Sequence, residues 1–355
     1  MAPSSPDGSV APVEVVHLYL HEVPVVFLLT VEEPVEGAHV AVVGEAEVPD
    51  AAGLSLCEEE VEEFVPKTHN TFLTTNNIFN VLRQSATNLM LACGMTMVII
   101  LGGIDLSVGS IIAMSGVLGA AAVVWHGLPE IVGILIAILS GLLFGLLNGT
   151  IIAKTKIPPF IVTLASMNIA KGIAYVYSGG KPIRCMTDTW KFLGAGNVAG
   201  IPTPVITMFI VFVVAVLFLN RSRIGRHIYA VGGNDTAAKF SAINTAKVKL
   251  IVYSFSGLMA GLAGITIASR LYSGTCTSGD GAEMDAIAAV VVGGTSMSGG
   301  SGKLGGTLIG VLIIGILNNG LNLMGVNSDW QYIIKGAVIL SAVYMDFLRN
   351  RKKAS

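Results

Sequence analysis

From residue 86 to residue 348, apolar runs about as long as a membrane crossing alternate with short polar breaks. A helix needs about 20 mostly apolar residues to cross the hydrocarbon core of a bilayer. Only 12% of the 355 residues are charged, whereas soluble domains carry about 25%. We therefore predict an all-α fold, a polytopic transmembrane helical bundle of about nine spans. The predicted spans are 86–102, 108–125, 131–153, 158–178, 203–219, 250–270, 284–298, 304–324 and 330–348.

Two of these segments, 108–125 and 284–298, are short and rich in glycine and serine. Irregular backbone at membrane depth is tolerated where it lines a cavity or is buried in protein. We interpret both segments as broken or re-entrant helices.

Basic residues between the spans predict which loops are cytoplasmic, because cytoplasmic loops carry an excess of lysine and arginine. The loop 221–249 holds six basic residues and a single acidic one, Asp235. Four basic residues follow the last span, and Lys154 and Lys156 lie in another short break. An even number of spans separates the three clusters, so they agree on one topology. We predict that the C-terminus is cytoplasmic.

Residues 1–66 differ in composition from the rest of the chain. They contain 14 of the 23 acidic residues and no lysine or arginine, which leaves 67–355 with a net charge of +12. Their best apolar run, 23–31, is too short to cross a bilayer. We therefore divide the chain into an atypical acidic arm, 1–66, and a transmembrane domain, 67–355. The arm is expected to be disordered or an artefact of the gene model, with an authentic start encoding one more apolar helix before Phe72.

The chain shows no nucleotide-binding loop and no catalytic arrangement. The pattern G-x-x-x-x-G-K-[ST] fails at two positions around Gly302 and Lys303, because Met297 replaces the first glycine and Leu304 replaces the serine or threonine. No Ser/His or paired-aspartate arrangement lies inside the spans, and the four cysteines lack zinc-ligand spacing. We predict a protein that is not an enzyme and that binds neither a metal nor a cofactor itself.

Polar residues within or beside the spans are candidates for a translocation pathway, because such groups are costly in a membrane. Asp105 lies between two spans and is either such a residue or an N-cap of the next helix. The asparagines either line the pathway or join helices to one another. Lys171 and Lys335, alone in their spans, are predicted to extend to the membrane interface. The pathway candidates are Asp105, Ser107, Asn148, Asn168, Asn318, Asn319 and Asn322.

The loop 221–249 is too long to be a simple turn between two helices. Ala237, Ala238, Lys239 and Phe240 predict a short amphipathic helix, opened by an N-cap at Asn234 or Asp235. The alternative is a positively charged segment that only sets the orientation in the membrane.

Five segments, in this order, resemble the permeases of ribose/xylose/galactoside-type ABC transporters. The resemblance extends from about residue 72 to residue 347. The segments are GGIDLSVGS at 102–110, NGTIIAKTKIPPFIVTLASM at 148–167, AVGGNDTAAKFSAIN at 230–244, EMDAIAAVVVGGTSMSGG at 283–300 and NNGLNLMGVNSDWQYIIKG at 318–336.

The resemblance implies a permease subunit in the bacterial inner membrane, with ten spans, that imports a monosaccharide. It implies four kinds of partner: the membrane, a second permease chain (commonly a copy, giving a homodimer), an extracytoplasmic sugar-binding protein, and an ATP-binding cassette protein that holds ATP and magnesium. It also implies that the loop 221–249 docks on the ATPase, with small residues fitting a cleft there. The coupling residues are then Gly232, Asn234, Ala237, Ala238 and Lys239.

The chain departs from the family pattern at three places. The family usually has glycine at the position of Ala242 and often an aromatic residue at that of Ala282. The family's first helix is replaced by the acidic arm.

Two other classes of protein are alternatives to the permease. One is an ion-coupled secondary transporter or channel for a small polar solute, which would carry charged relays inside its spans. The other is a membrane-embedded enzyme.

Overall fold

The computed structural model describes residues 13–20, 23–30 and 72–354, and the chain divides into two units, Met1–Pro66 and Lys67–Ser355. In the first unit, β1 (Val13–Leu20) and β2 (Val23–Thr30) pair as an antiparallel hairpin, with Leu20 opposite Val23. The arm was expected to be disordered. Apart from this hairpin, its residues lie outside those that the structure describes.

The second unit is built almost entirely of helices, and two pairs of very short strands lie among them. The bounds of most long helices follow the predicted apolar segments, but the helix that begins at Thr75 starts 11 residues before the segment predicted at 86–102. The elements are α1 Thr75–Ile100, α2 Val108–Val124, α3 Glu130–Lys154, α4 Pro159–Ser178, β3 Ile183–Arg184, α5 Asp188–Ala195, β4 Asn197–Val198, β5 Ile201–Pro202, α6 Thr203–Arg221, α7 Arg223–Gly233, α8 Asp235–Phe240, α9 Thr245–Arg270, β6 Ser273–Gly274, α10 Ala282–Val292, α11 Leu304–Leu323 and α12 Ser328–Ala354.

Five helices of the described part are long and apolar enough to cross a membrane: α3, α4, α6, α9 and α11. The all-α membrane fold is confirmed, but the predicted count of nine spans is not. The segments predicted at 108–125 and 284–298 fall on helices of 17 and 11 residues, α2 and α10. Those predicted at 86–102 and 330–348 fall on α1 and α12, which are long but begin with polar turns.

The centre of the bundle is a close pair, α3 and α9, whose backbones touch through glycines spaced four residues apart. A Cβ on Gly141 would lie 2.8 Å from the Cα of Gly261, and one on Gly257 would lie 2.7 Å from the Cα of Gly145. Small residues at this spacing allow helices to approach closely in a membrane, where hydrophobic force between helices is absent. The pair therefore depends on glycine itself, because any side chain would separate the two backbones.

Burial distinguishes inner helices from outer ones. The last half of α1 and almost all of α2 are buried, as expected for helices that are apolar on every side. By contrast, α3, α4 and α6 expose large apolar side chains outward, such as Leu139, Val176 and Phe209. A continuous apolar exterior of this kind matches lipid contact rather than contact with water.

The segment between α9 and α10 returns into the bundle along α2. A Cβ on Gly274 would meet the carbonyl oxygen of Gly116 at 2.5 Å, and one on Gly279 would meet that of Gly109 at 2.5 Å. Gly279 has φ +85°, a conformation that favours glycine. The segment thus passes along nearly two turns of α2 before α10 begins, so α10 starts inside the bundle.

The loop between α6 and α9 contains the predicted short helix, α8. Asn234 caps it, since its Oδ1 accepts a hydrogen bond from the amide of Ala237 at 2.9 Å. Asp235 forms ion pairs with Lys239 (2.5 Å) and Lys249 (3.4 Å). Partial burial opposes ionisation of this carboxyl, but the two lysines outweigh that effect and lower the pKa of Asp235. The prediction of a capped helix is confirmed.

A left-handed residue ends α8, and it is Ala242, with φ +58°. The amide of Ile243 donates to the carbonyl of Ala238 and that of Ala242 to the carbonyl of Lys239, both at 3.0 Å, which is the Schellman arrangement. Glycine is the usual residue at this position, because a Cβ in the left-handed region is strained. The geometry therefore explains why glycine is expected where this chain has alanine.

Replacing Ala242 with glycine is expected to stabilise the loop by about 1 kcal/mol, because the substitution removes the left-handed strain. Hydrogen exchange of the amides of α8, in purified protein, should slow by roughly fivefold. The matched control is Ala237→Gly, inside the same helix, which should speed exchange because glycine lowers helix stability by about 1 kcal/mol. Faster exchange in Ala242→Gly would contradict this interpretation.

Candidate functional site

Three of the predicted pathway residues meet at the break between α1 and α2. Asp105 is fully buried, and its Oδ1 accepts hydrogen bonds from the amide (3.0 Å) and hydroxyl (2.6 Å) of Ser107. Its Oδ2 accepts from the Ser256 hydroxyl of α9 at 2.8 Å. Asn148 donates to the Ser107 hydroxyl at 3.0 Å and accepts from Ser166 of α4. The network joins the break to α3, α4 and α9, and it places Asp105 at the start of α2.

The predicted asparagines lie at separate places. Asn319 exchanges two hydrogen bonds with Asn77, at 2.9 and 3.0 Å, and so joins α11 to α1. Asn322 is exposed and accepts from Gln331 at 2.8 Å. Asn168 is also exposed, on α4, and Asn318 is buried beside α10.

A charged cluster surrounds the first turn of α10. Asp280 forms an ion pair with Lys171 of α4. Asp285 forms another with Lys335 of α12 at 3.1 Å, and it also accepts a hydrogen bond from Asn318 at 3.2 Å. Glu283 lies between the two aspartates in sequence and is partly buried. We call these five charged residues the α10 cluster. They lie on α4, on α12, and on α10 with the turn that precedes it.

Two cavities flank the α10 cluster and share Asp280 and Gly281. One, of about 360 Å³, lies against α12 and the other, of about 330 Å³, lies against α4. The first is lined by Asp280, Gly281, Met284, Gln331, Tyr332, Lys335, Gly336 and Ile339. The second is lined by Ser110, Met167, Asn168, Lys171, Gly279, Asp280, Gly281 and Glu283. The cavities are therefore lined by positively and negatively charged side chains, by side-chain amides and by one tyrosine phenol.

The depth of the α10 cluster follows from the length of α10. We call the end of the bundle that carries α7 and α8 the loop end. The segment that follows α10 contacts this end through two hydrogen bonds. The amide of Gly300 donates to the Ile100 carbonyl at 2.8 Å, and the Tyr229 hydroxyl donates to the Gly302 carbonyl at 2.8 Å. An 11-residue helix is about 16 Å long, about half of the 30 Å hydrocarbon core. The first turn of α10 is thus separated from the segment that contacts the loop end by about 16 Å of helix, roughly half the thickness of the hydrocarbon core.

Sequence reasoning missed the α10 cluster. The structure places Lys171 and Lys335 in ion pairs with aspartates, which the sequence analysis did not predict, and their extension to the membrane interface stays a prediction. The signal was present, because three acidic residues within six positions, at 280, 283 and 285, precede an apolar segment. Of the predicted pathway residues, only Asn168 and Asn318 are brought to this cluster.

Glycine packing connects the basic loop to the bundle. A Cβ on Gly232 would collide with the carbonyl oxygen of Ile100 and would lie 2.8 Å from the amide nitrogen of Gly300. The end of α7, the end of α1 and the turn after α10 therefore meet backbone to backbone. At this contact no side chain separates α7 from the two interrupted regions.

The predicted coupling residues differ in exposure. Asn234, Ala237 and Lys239 are exposed, whereas Gly232 is half-buried in the glycine contact. Ala238 was expected to fit a cleft on a partner, but it is only 4% exposed and packs within its own chain. Its small size thus serves the packing of α8 against the rest of the chain.

The cysteines and acidic groups show no further chemistry in the part of the chain that the structure describes. Cys93, Cys185 and Cys276 are free and buried. Among the described residues, no group of three histidine, cysteine, aspartate or glutamate side chains is arranged to hold a metal ion.

The fold and the α10 cluster define an integral membrane protein of the transport class, with interrupted helices around polar cavities and a basic loop at one end. The family described as the permease component of branched-chain amino acid transport systems matches residues 77–343, and the chain belongs to this family.

Sequence relatives agree with this assignment. The ribose import permease protein of Escherichia coli K12 is 48% identical over 286 residues, covering 79% of this chain and 88% of that protein. The ribose import permease protein of Bacillus subtilis 168 is 48% identical over 287 residues, covering 80% and 88%. The xylose transport system permease protein of Haemophilus influenzae Rd is 34% identical, covering 82% and 93%. No solved structure matches the chain.

Proposed function

We propose that this chain is the membrane-spanning permease subunit of an ATP-driven, binding-protein-dependent importer of a monosaccharide, ribose or a related sugar. The names of its relatives support the solute class. The absence of a phosphate-binding loop from the sequence supports a separate ATPase. The α10 cluster, with its two cavities, is the observation that carries the proposal.

The chemistry of the cavities suits an uncharged polyhydroxylated solute. Each lysine of the α10 cluster is paired with an aspartate, so neither is free to attract an anion. Carboxylates, amides and a phenol can exchange hydrogen bonds with hydroxyl groups. Tyr332, which is exposed on the α12 side, also offers an aromatic face to the apolar side of a sugar ring.

The exposure of the α10 cluster supports a second copy of the chain. Side chains of Lys171 and Asp280 are 30% and 44% exposed at a depth where lipid tails would surround a single chain. Charged groups at that depth face protein or a water-filled cavity rather than lipid. In a homodimer, the faces formed by α4, α10 and α12 would meet, and the cavities of both copies would form one polar pathway.

Charge supports the orientation and the docking of the ATPase. Arg221, Arg223 and Arg226 lie at the loop end. Lys154 ends α3 and Lys156 follows it, and Gly149 of α3 packs against Leu250 near the start of α9. In our proposal the loop end is cytoplasmic, and the C-terminus lies on the same side. The ATP-binding subunit docks on α7 and α8, and its closure on ATP moves them. The glycine contact of Gly232 then moves the ends of α1 and α10, which opens the pathway to alternate sides.

Transport in proteoliposomes tests the proposal. The chain, reconstituted with its ATP-binding subunit, should take up radiolabelled ribose only when both ATP and the sugar-binding protein are supplied on their proper sides. The chain without the ATP-binding subunit should neither bind nor hydrolyse ATP. Uptake driven by a proton or sodium gradient, without the ATPase, would instead support the secondary transporter and overturn the proposal.

A further inference from the structure

Phe240, the last residue of α8, is 88% exposed. Between Leu217 and Leu271 it is the one large apolar side chain, among the residues that the structure describes, that is exposed. Single exposed apolar side chains are ordinary on protein surfaces, but Phe240 has the highest exposure of the large apolar side chains that the structure describes. The ring is therefore a feature to be explained by contact with another molecule.

The surroundings of Phe240 do not form a membrane-binding surface. A helix that lies on a membrane presents a continuous apolar face. Here the exposed neighbours are Thr236, Ala237, Lys239 and Ser241, and Ala238 on the same short helix is turned into the chain. Phe240 is thus a single apolar projection on a polar surface, the form of an anchor that enters a pocket.

Charge indicates the chemistry of that pocket. Lys239, beside the ring, has 58% of its side chain exposed, and Arg226 and Lys247 are exposed on the same loop. The loop's one acidic side chain, Asp235, is already paired with Lys239 and Lys249. A complementary partner therefore has an apolar pocket for the ring and carboxylates around its rim.

The local structure holds the ring in place before any partner binds. The Asn234 cap fixes the start of α8, the Asp235 ion pairs fix its side toward α9, and the Schellman turn at Ala242 fixes its end. A side chain presented by a fixed helix loses little conformational freedom on binding, which favours affinity.

We infer that Phe240 is the principal anchor of the ATP-binding subunit on this chain, and that it enters an apolar pocket with an acidic rim. The inference rests on the proposed function, because it assumes that an ATP-binding subunit docks at the loop end. It goes beyond that function by assigning the binding energy to one side chain that projects from α8.

Affinity measurements test the inference in the intact protein. The chain in lipid nanodiscs is titrated with the ATP-binding subunit of the same importer, as wild type, Phe240→Ala, Phe240→Leu and Phe240→Glu. We expect Phe240→Ala to weaken binding by about tenfold or more, and Phe240→Glu to weaken it further because of the acidic rim. Phe240→Leu should stay within about threefold of wild type, since the pocket still receives an apolar group. Met324→Ala, at an apolar position that is 75% exposed and lies away from α8, is the matched control and should bind as wild type does.

The outcomes separate the inference from the proposed function. If the wild-type chain does not bind the ATP-binding subunit, the proposed function fails and the inference fails with it. If wild type and Phe240→Ala bind equally, only the inference fails.

A labelling experiment tests contact with lipid. Phe240→Cys, in a chain whose four native cysteines are replaced, should react rapidly with a water-soluble maleimide in nanodiscs and become protected when the ATP-binding subunit is added. Slow labelling without the subunit would mean that the side chain lies in lipid, and it would overturn the inference.

Discussion

Replacing Lys335 with methionine is expected to lower sugar uptake by at least about tenfold and to destabilise the protein by about 3 kcal/mol. The Lys335 ammonium is 3.1 Å from Asp285, and the two side chains are only 23% and 14% exposed. Removing the lysine leaves a carboxylate with Asn318 as its remaining neutral donor. Leaving one charge of a buried pair alone costs more than the pair itself contributes, so the loss should exceed that of a surface ion pair.

Two further variants make this prediction specific. Lys181→Met removes an exposed lysine without an ion pair in the structure, and its stability should stay within about 0.5 kcal/mol of wild type. The charge exchange Lys335→Asp with Asp285→Lys restores opposite charges and should recover more than half of the lost stability. Thermal unfolding in detergent and uptake in proteoliposomes are the measurements. Equal effects of Lys335→Met and Lys181→Met would show that the ion pair contributes nothing.

Replacing Gly232 with alanine is expected to reduce uptake by about tenfold or more while the protein still inserts into the membrane. The new Cβ would collide with the carbonyl oxygen of Ile100 and approach the amide of Gly300 to 2.8 Å. Both neighbours are backbone atoms, so they can yield only if whole segments move apart. Overpacking of this kind costs about 1–3 kcal/mol. In our proposal the same contact transmits the movement of α7 to α1 and α10, so ATP hydrolysis should continue without uptake.

The adjacent residue supplies the control for this prediction. A Cβ on Gly233 would meet nothing within 4 Å, although it lies in the same turn at the end of α7. Gly233→Ala should therefore retain uptake within about twofold, since such a surface change usually costs under 0.5 kcal/mol. Stimulated ATPase activity and uptake are measured together for both variants. If the two variants behave alike, close packing at Gly232 is not what connects the loop to the bundle.

The sequence predicted local structure best. Bilayer-length apolar runs located each long helix from α1 to α12, because length and hydrophobicity suffice to identify a helix in a membrane protein. The bounds were less accurate where a helix has polar turns: α1 begins 11 residues before its predicted start, and α12 ends 6 residues after its predicted end. The cap at Asn234 and the helix α8 were also predicted, since capping depends on residues three positions apart. The predicted count of nine spans is not confirmed, because α2 and α10 are apolar but only 17 and 11 residues long, and apolar composition alone does not report where a helix is interrupted.

Long-range contacts decided what the sequence left open. Asp105 could be read as a pathway residue or as a cap, and the structure places it at the start of α2 within a buried network whose partners lie 43 to 151 positions away along α3 and α9. Lys171 and Asp280 are likewise 109 positions apart, so no local pattern announces their pairing. The functional role of each candidate residue stays a prediction.

By itself, then, the sequence determined the class of the protein, its helices, its basic loop and its resemblance to a transporter family, all of which depend on neighbouring residues or on composition. Tertiary structure alone decided which charges meet at α10, which glycines bring backbones together, and which face of α8 projects outward. The physical reason is that a charge or a small residue acquires its role from the side chains around it. Those neighbours are set by how helices distant in sequence pack against one another.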